Sequence, residues 1–160
     1  MAVNSYAKVN LYLKIGKKLN SGYHNLQSVM QRIELGDNMS IEPINEDRII
    51  VESTHPEISN EANLAHKAAM LLKKKYKVKH GVKIHIEKNI PLEAGLGGGS
   101  SNAAATLLNL NKLWGLKLKE KQLIEMACQI GSDVPFFLEK TQPWLKASVI
   151  KLNGLKNHSA

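Results

Sequence analysis

Cysteine is nearly absent from this 160-residue chain, with Cys128 the only one. A single thiol cannot close a disulfide within the chain, which excludes a stapled scaffold and points to a reducing compartment. Aromatic residues make up only 5% of the sequence, too few for the base-stacking surface of a single-strand nucleic-acid binder. No apolar run reaches the roughly 20 residues of a membrane-spanning helix. Residues 1–15 lack the apolar block and cleavage site of a signal peptide. Internal repeats and low-complexity tracts are also missing. A chain of this length with 43% hydrophobic residues buries a sizeable core unaided. The expectation is one soluble domain, or one with a short appendage, and a cytoplasmic location with no membrane partner.

Acidic residues are scarce relative to basic ones: 14 Asp and Glu against 22 Lys and Arg, a net charge of +8. Such an excess favours anionic partners, nucleotides or nucleic acid. Much of it is local, however. Lys73, Lys74, Lys75, Lys77 and Lys79 cluster at the end of one helical pattern, and four more lysines fall in residues 112–121. Lysines in a last helical turn complement the helix dipole, so these read as solvated faces and nucleic acid is not the expected partner.

Alternation of apolar and polar residues predicts a strand over residues 5–15, with Val9, Leu11, Leu13 and Ile15 on one face. Lys8 and Asn10 then project together from the other face, about 7 Å apart. A polar turn over residues 16–22 leads to a second strand over residues 28–35, with Val29, Ile33 and Leu35 on one face, and then to a turn at Gly36-Asp37-Asn38. Two short strands follow at residues 39–41 and 49–51, separated by Asn45-Glu46-Asp47. Asn60 is a candidate N-cap for a helix over residues 61–76. A strand over residues 82–86 precedes a helix over about 100–113, and a third helix over about 118–130 stops at Gly131, the expected residue just past a helix end. Cys128 falls on the apolar side of that helix and reads as core. Early strands, then helices interleaved with a single strand, predict α+β rather than a doubly wound sheet.

Between the strand at 82–86 and the helix at 100–113 lies Pro91-Leu92-Glu93-Ala94-Gly95-Leu96-Gly97-Gly98-Gly99-Ser100-Ser101. Four glycines in five residues allow positive φ and close backbone approach to a ligand. A loop ending at a helix N-terminus offers unpaired N–H groups and the positive end of the dipole, which suits a phosphate. No acidic residue occurs in residues 95–106 to repel one. The stretch is not a P-loop, because no lysine precedes the serines, and it is not a dinucleotide fingerprint, because Ser100 occupies the third small position and the loop lies past the middle of the chain. The plainer alternative is a flexible loop whose helix is capped by Ser100 or Ser101.

Asp133 follows the third helix and precedes an apolar run. Phosphoryl transfer to an alcohol asks for a base near the hydroxyl, a cation and backbone donors on the phosphates; Asp133, Lys8 and the glycine loop could supply these in turn. Taken singly, Asp133 reads as a turn residue and Lys8 as a surface lysine. His55, His66, His80 and His85 lack metal-ligand company and read as structural or surface residues.

Four motifs in order carry a resemblance: Ala7-Lys8-Val9-Asn10-Leu11, Gly22-Tyr23-His24, the stretch from Pro91 through Ala104, and Gly131-Ser132-Asp133-Val134-Pro135-Phe136. Together they resemble the GHMP kinases, and within them the branch that phosphorylates 4-diphosphocytidyl-2-C-methyl-D-erythritol in the non-mevalonate isoprenoid pathway. Gly98 and Gly99 ahead of the serines favour that branch over galactokinase, homoserine kinase or mevalonate kinase. The resemblance implies an N-terminal domain of ribosomal-protein-S5-like α+β fold over residues 1–138. It also implies phosphorylation of the substrate's 2-hydroxyl by ATP with Mg²⁺. Carried over by motif, Asp133 is the base and Lys8 its partner. Gly95, Leu96, Gly97, Gly98, Gly99, Ser100 and Ser101 hold the ATP phosphates, with Mg²⁺ near Ser100 or Ser101, and Pro91 belongs to the same ATP site. Asn63 and Lys88 lie toward the adenosine, and Asn10, Tyr23 and His24 hold the cytidine diphosphate part of the substrate. The family continues into a second domain, in place of which residues 139–160 read as an atypical tail; weak ATP binding and impaired turnover are the expected consequence. The alternative from another class is a non-catalytic nucleotide- or RNA-binding domain of the same S5-like fold.

Overall fold

The computed structural model describes the backbone of residues 1–18, 24–138 and 148–153, and side chains within residues 1–14 and 27–138. Two long strands begin the chain, β1 (Ala2–Lys18) and β2 (His24–Ile44), followed by the short β3 (Ile49–Ser53). A 3₁₀ turn at Pro56–Ile58 leads to α1 (Leu64–Tyr76), then β4 (Gly81–Glu87). Three helices follow, α2 (Gly98–Leu113), α3 (Glu120–Ile130) and the short α4 (Val134–Leu138), and then β5 (Ser148–Asn153). The sheet runs β1-β2-β4-β3, with β5 also on β2. Only β3 and β4 are parallel, and α1 connects them. The architecture is α+β, as expected.

Alternation sets which face of the sheet is covered. Val82, Ile84 and Ile86 of β4 are fully buried, whereas His85 and Glu87 are exposed. Met39 and Ile41 of β2 stand opposite Ile86 and Ile84, and Val51 of β3 stands beside Ile84 on the other side. Across these strands the apolar residues form rows on one face, where Ala65, Ala68, Ala69 and Leu72 of α1 and Ala103, Leu107 and Leu110 of α2 complete the core. Small residues dominate the first turns of α2, so this helix can lie close to the sheet while its N-terminus reaches the rim.

The turn expected at Gly36-Asp37-Asn38 is absent, because β2 runs straight through it. An aspartate makes a turn by bonding its own backbone, but here the Asp37 carboxylate accepts from the N–H groups of Asn89 and Ile90 instead. Gly36 lies against Tyr6, where an added Cβ would come within 3.0 Å of the ring. Facing is also different from the alternation. Between Tyr6 opposite Gly36 and Lys8 opposite Arg32, β2 carries extra residues, and between Asn10 and Tyr12 the extra residue is Leu11 on β1. These bulges re-aim side chains. Ala7 and Lys8 are both buried, while Leu11 and Leu13 are exposed. In β2, Ser28 and Met30 face inward rather than Val29, Ile33 and Leu35.

Helix ends shift for identifiable reasons. Asn60 accepts from Ala62 N in a local turn, and the N-cap of α1 is Asn63, whose side-chain oxygen accepts from Ala65 N at 2.8 Å. Gly97, at φ 70°, is the N-cap of α2, so Ser100 and Ser101 lie inside its first turn and do not cap it. Gly131 ends α3 in extended backbone, not in the left-handed conformation of a C′ glycine, and Cys128 is exposed rather than core. Lys73, expected on a solvated face, is instead largely covered: it donates to the carbonyls of Val78 and His80 and pairs with Asp47. Residues 148–153, within the stretch read as an atypical tail, pair antiparallel with residues 25–30 of β2. Among the described residues no helix is long and apolar enough to cross a membrane.

Candidate active site

A cavity of about 220 Å³ opens at the N-terminus of α2, lined by Leu64, Lys88 and residues 91–100. Three backbone features shape it. Gly95 and Gly97 sit at φ 71° and 70°, a region that side chains disfavour. Gly98 presses against the segment entering the loop, because an added Cβ there would lie 2.9 Å from Lys88 Nζ and 3.0 Å from Ile90 Cγ2. Finally, Lys8 N donates to Leu96 O at 2.9 Å, which ties the loop to β1. The first intrahelical bond of α2 runs from Ser101 N to Gly97 O. The N–H groups of Gly98, Gly99 and Ser100 at the head of the helix therefore have no partner further back in it and point toward the cavity end. That end concentrates positive dipole with no carboxylate in residues 95–106.

Next to the loop, Lys8 and Asp133 meet. Lys8 Nζ lies 3.5 Å from Asp133 Oδ2 and donates to Asn10 Oδ1 at 3.3 Å. The lysine side chain is 4% exposed and the aspartate 26%, so the pair lies at the wall of the fold with the carboxylate open to a small molecule. Asn10 Oδ1 also accepts from Ser28 Oγ at 3.1 Å, which orients the amide. Asp133 reaches this place because α4 is latched to β2. Arg32, the cross-strand neighbour of Lys8, donates to Phe136 O at 3.0 Å and stacks on Phe136 and Phe137. Phe137 in turn lies against Gly97, where a Cβ would come within 3.1 Å of its ring. One contact chain thus joins the acid, the cation and the glycine loop.

Not every residue singled out in the sequence converges here. Pro91, Gly95, Leu96, Gly97, Gly98, Gly99 and Ser100 line the cavity. Ser101 is buried under it, within 2.7 Å of Ser5 Oγ, and its hydroxyl is committed there. Lys88 lines the cavity, yet its ammonium is paired with the fully buried Asp37 at 2.6 Å. Asn63 spends its side chain on capping α1 and on Ile58 O at 2.8 Å, while its neighbour Leu64 reaches the cavity. Tyr23 lies outside the described residues, and His24 opens β2 with a side chain outside them. Among the described residues no group of three or more His, Cys, Asp or Glu could hold a metal ion.

Asp37, Ser5, Asn102 and Arg32 escaped the sequence reading. Asn102 left a faint signal as a polar residue inside an alanine-rich helical run, where burial demands a hydrogen-bond partner. It donates to both Ser5 Oγ and Asp37 Oδ2. Asp37 left none, since Gly-Asp-Asn is indistinguishable from an ordinary turn.

Comparison with known proteins agrees with this geometry. Residues 63–140 match the family model described as "GHMP kinases N terminal domain". The chain is 50% identical over 139 residues to the 4-diphosphocytidyl-2-C-methyl-D-erythritol kinase of Caldicellulosiruptor saccharolyticus, a match covering 86% of this chain and 48% of the relative. It is 44% identical over 155 residues to the Clostridioides difficile protein of the same name, covering 96% of this chain and 52% of that one. The second match reaches beyond residue 138 into the tail. A crystal structure of 4-(cytidine 5'-diphospho)-2C-methyl-D-erythritol kinase superposes with a TM-score of 0.74 at 34% identity, covering 94% of this chain and 55% of that one. A mevalonate kinase structure shares the fold at a TM-score of 0.60 and 18% identity. The chain therefore spans about half the length of the curated relatives it matches. Residues 63–140 carry a GHMP kinase N-terminal domain, and the fold around the glycine loop agrees with that match.

Proposed function

We propose that this domain binds ATP at the glycine loop and transfers its γ-phosphoryl group to the 2-hydroxyl of 4-diphosphocytidyl-2-C-methyl-D-erythritol. The observation that carries the reading is the adjacency of an open carboxylate and a buried ammonium, Asp133 and Lys8, to the N-terminus of α2. Kinship with relatives that bear the kinase's name supplies the substrate.

In this reading the N–H groups at residues 98–100 hold the phosphates, and the loop over residues 91–97 wraps them. The substrate's 2-hydroxyl oxygen attacks the γ-phosphorus, its proton passes to Asp133, and the bond to the β,γ-bridging oxygen breaks to release ADP. Lys8, paired with that carboxylate, orients it and offsets negative charge as the proton is taken up. Mg²⁺ would arrive with the nucleotide and neutralise its phosphates; Ser100, whose side chain lines the cavity, is the protein hydroxyl that fits it, whereas Ser101 is committed to Ser5. Leu64, beside Asn63, shapes the approach to the nucleotide, with Lys88 and Asn63 supporting the adenosine side from their structural positions. Asn10, Tyr23 and His24 take the cytidine diphosphate end. Residues 1–138 carry these groups, and residues 148–153 of the remainder add a strand to the same sheet. A soluble, cytoplasmic, small-molecule kinase follows from this reading.

Incubating the chain with ATP, Mg²⁺ and the diphosphocytidyl substrate and following the phosphorus NMR spectrum tests the proposal. A new phosphomonoester on the 2-hydroxyl, appearing with ADP, is expected. ATP that stays intact, or is only hydrolysed to free phosphate, would contradict it. The RNA-binding alternative predicts tight, salt-sensitive RNA retention on a filter.

A further inference from the structure

Asp37 is the most completely enclosed charged group of the described domain, with a side chain 0% exposed. An ionised carboxylate in such a place needs donors on every side, and four are present. Oδ2 accepts from Lys88 Nζ at 2.6 Å and from Asn102 Nδ2 at 2.9 Å. Oδ1 accepts from Asn89 N at 2.9 Å and from Ile90 N at 2.8 Å. These fill the four lone-pair directions of the carboxylate. The donors are not scattered. Lys88, Asn89 and Ile90 are the last residues before the glycine loop, and Asn102 belongs to the helix that follows it. One side chain from the middle of β2 therefore joins the two ends of the loop. Asn102 extends the tie to Ser5 of β1, which also meets Ser101.

From this arrangement we infer that Asp37 is a positioning residue, holding the glycine loop in its anion-binding shape by clamping its entry and exit. The inference rests on the proposed reading of the loop as a nucleotide site. A stretch with Gly95, Gly97, Gly98 and Gly99 samples many backbone conformations when unanchored, and fixing them costs entropy at the moment of binding. Anchoring both ends in advance removes part of that cost, which is how preorganisation raises affinity. The same clamp sets the local charge. Lys88 Nζ lies directly behind Gly98, so an unpaired carboxylate here would repel phosphate. Paired, the two charges cancel, and the backbone donors of α2 remain the attraction.

The test measures ¹⁵N backbone order parameters of Gly97, Gly98 and Gly99 alongside Kd for MgATP, in the wild type and in Asp37→Asn, Asn102→Ala and Leu72→Ala. Asn102→Ala leaves the Asp37–Lys88 pair intact and cuts the ties of α2 to Asp37 and to Ser5, so it reports even if Asp37→Asn fails to fold. Leu72→Ala lowers stability from the core of α1 without touching the clamp. The order parameters of the three glycines should fall from about 0.85 toward 0.6 in both clamp variants and stay unchanged in Leu72→Ala. Kd should rise about tenfold or more in the clamp variants, which the core variant should not reproduce. Glycine order parameters in Asn102→Ala equal to those of the wild type would overturn the inference, as would an equal fall in Leu72→Ala. Failure of the wild type to bind MgATP would instead refute the nucleotide reading, while the order parameters would still decide the clamp.

Discussion

Gly95 and Gly97 adopt nearly the same left-handed backbone, but their surroundings differ. An added Cβ meets nothing within 4 Å at Gly95, whereas at Gly97 it comes within 3.1 Å of Lys8 Cγ and Phe137 Cζ. Gly95→Ala should therefore cost only the backbone penalty of about 1–2 kcal/mol. Gly97→Ala should cost more, because overpacking adds about 1–3 kcal/mol and displaces the lysine. Urea unfolding of the two variants checks this, and equal losses would mean that the Phe137 and Lys8 contacts are soft. At this scale the sequence was partly legible. Lys8 and Asn10 could be placed together because a two-residue step along a strand returns to one face, and their side chains do meet. Asp133 could be linked to them only through the ordered motifs, since 125 positions of chain, from 8 to 133, carry no local signal of contact. Asp37 was hidden because all its partners lie more than fifty residues away.

Elements were legible where hydrophobic period and packing agree, as in α1, α3 and β4. They were misread where tertiary contacts override local chemistry. β2 passes through a turn-like triplet because Asp37 finds distant donors, and the facing that alternation predicts along β1 and β2 is not kept across the bulges. Two variants probe element ends. Asn63→Ala removes the N-cap of α1 and should lower stability by about 1 kcal/mol, read from thermal unfolding; Asn63→Ser should recover most of it. Gly81→Ala at the start of β4 would drive a Cβ into the carbonyl oxygens of Glu46 and Arg48. Since backbone must yield there, a loss at the upper end of the usual overpacking range, about 3 kcal/mol, is expected. A variant as stable as the parent would show that the β3–β4 junction is looser than its hydrogen bonds suggest.

At the level of the whole molecule, the domain carries the glycine loop beside the Lys8–Asp133 pair while spanning about half the length of its curated relatives. The glycine stretch on its own argued only for an anion at a helix N-terminus. Its placement beside Lys8 and Asp133 is the observation on which the proposed reaction rests. The dependence of turnover on one carboxylate is the sharpest test of that reaction. The decisive measurement is ADP release with the diphosphocytidyl substrate, coupled to a spectrophotometric readout, for the parent chain and for Asp133→Asn. Loss of a general base should lower kcat/KM by about 100- to 10,000-fold while MgATP still binds. Turnover in Asp133→Asn within about threefold of the parent would contradict the assignment of Asp133, and with it the proposed reaction at this site.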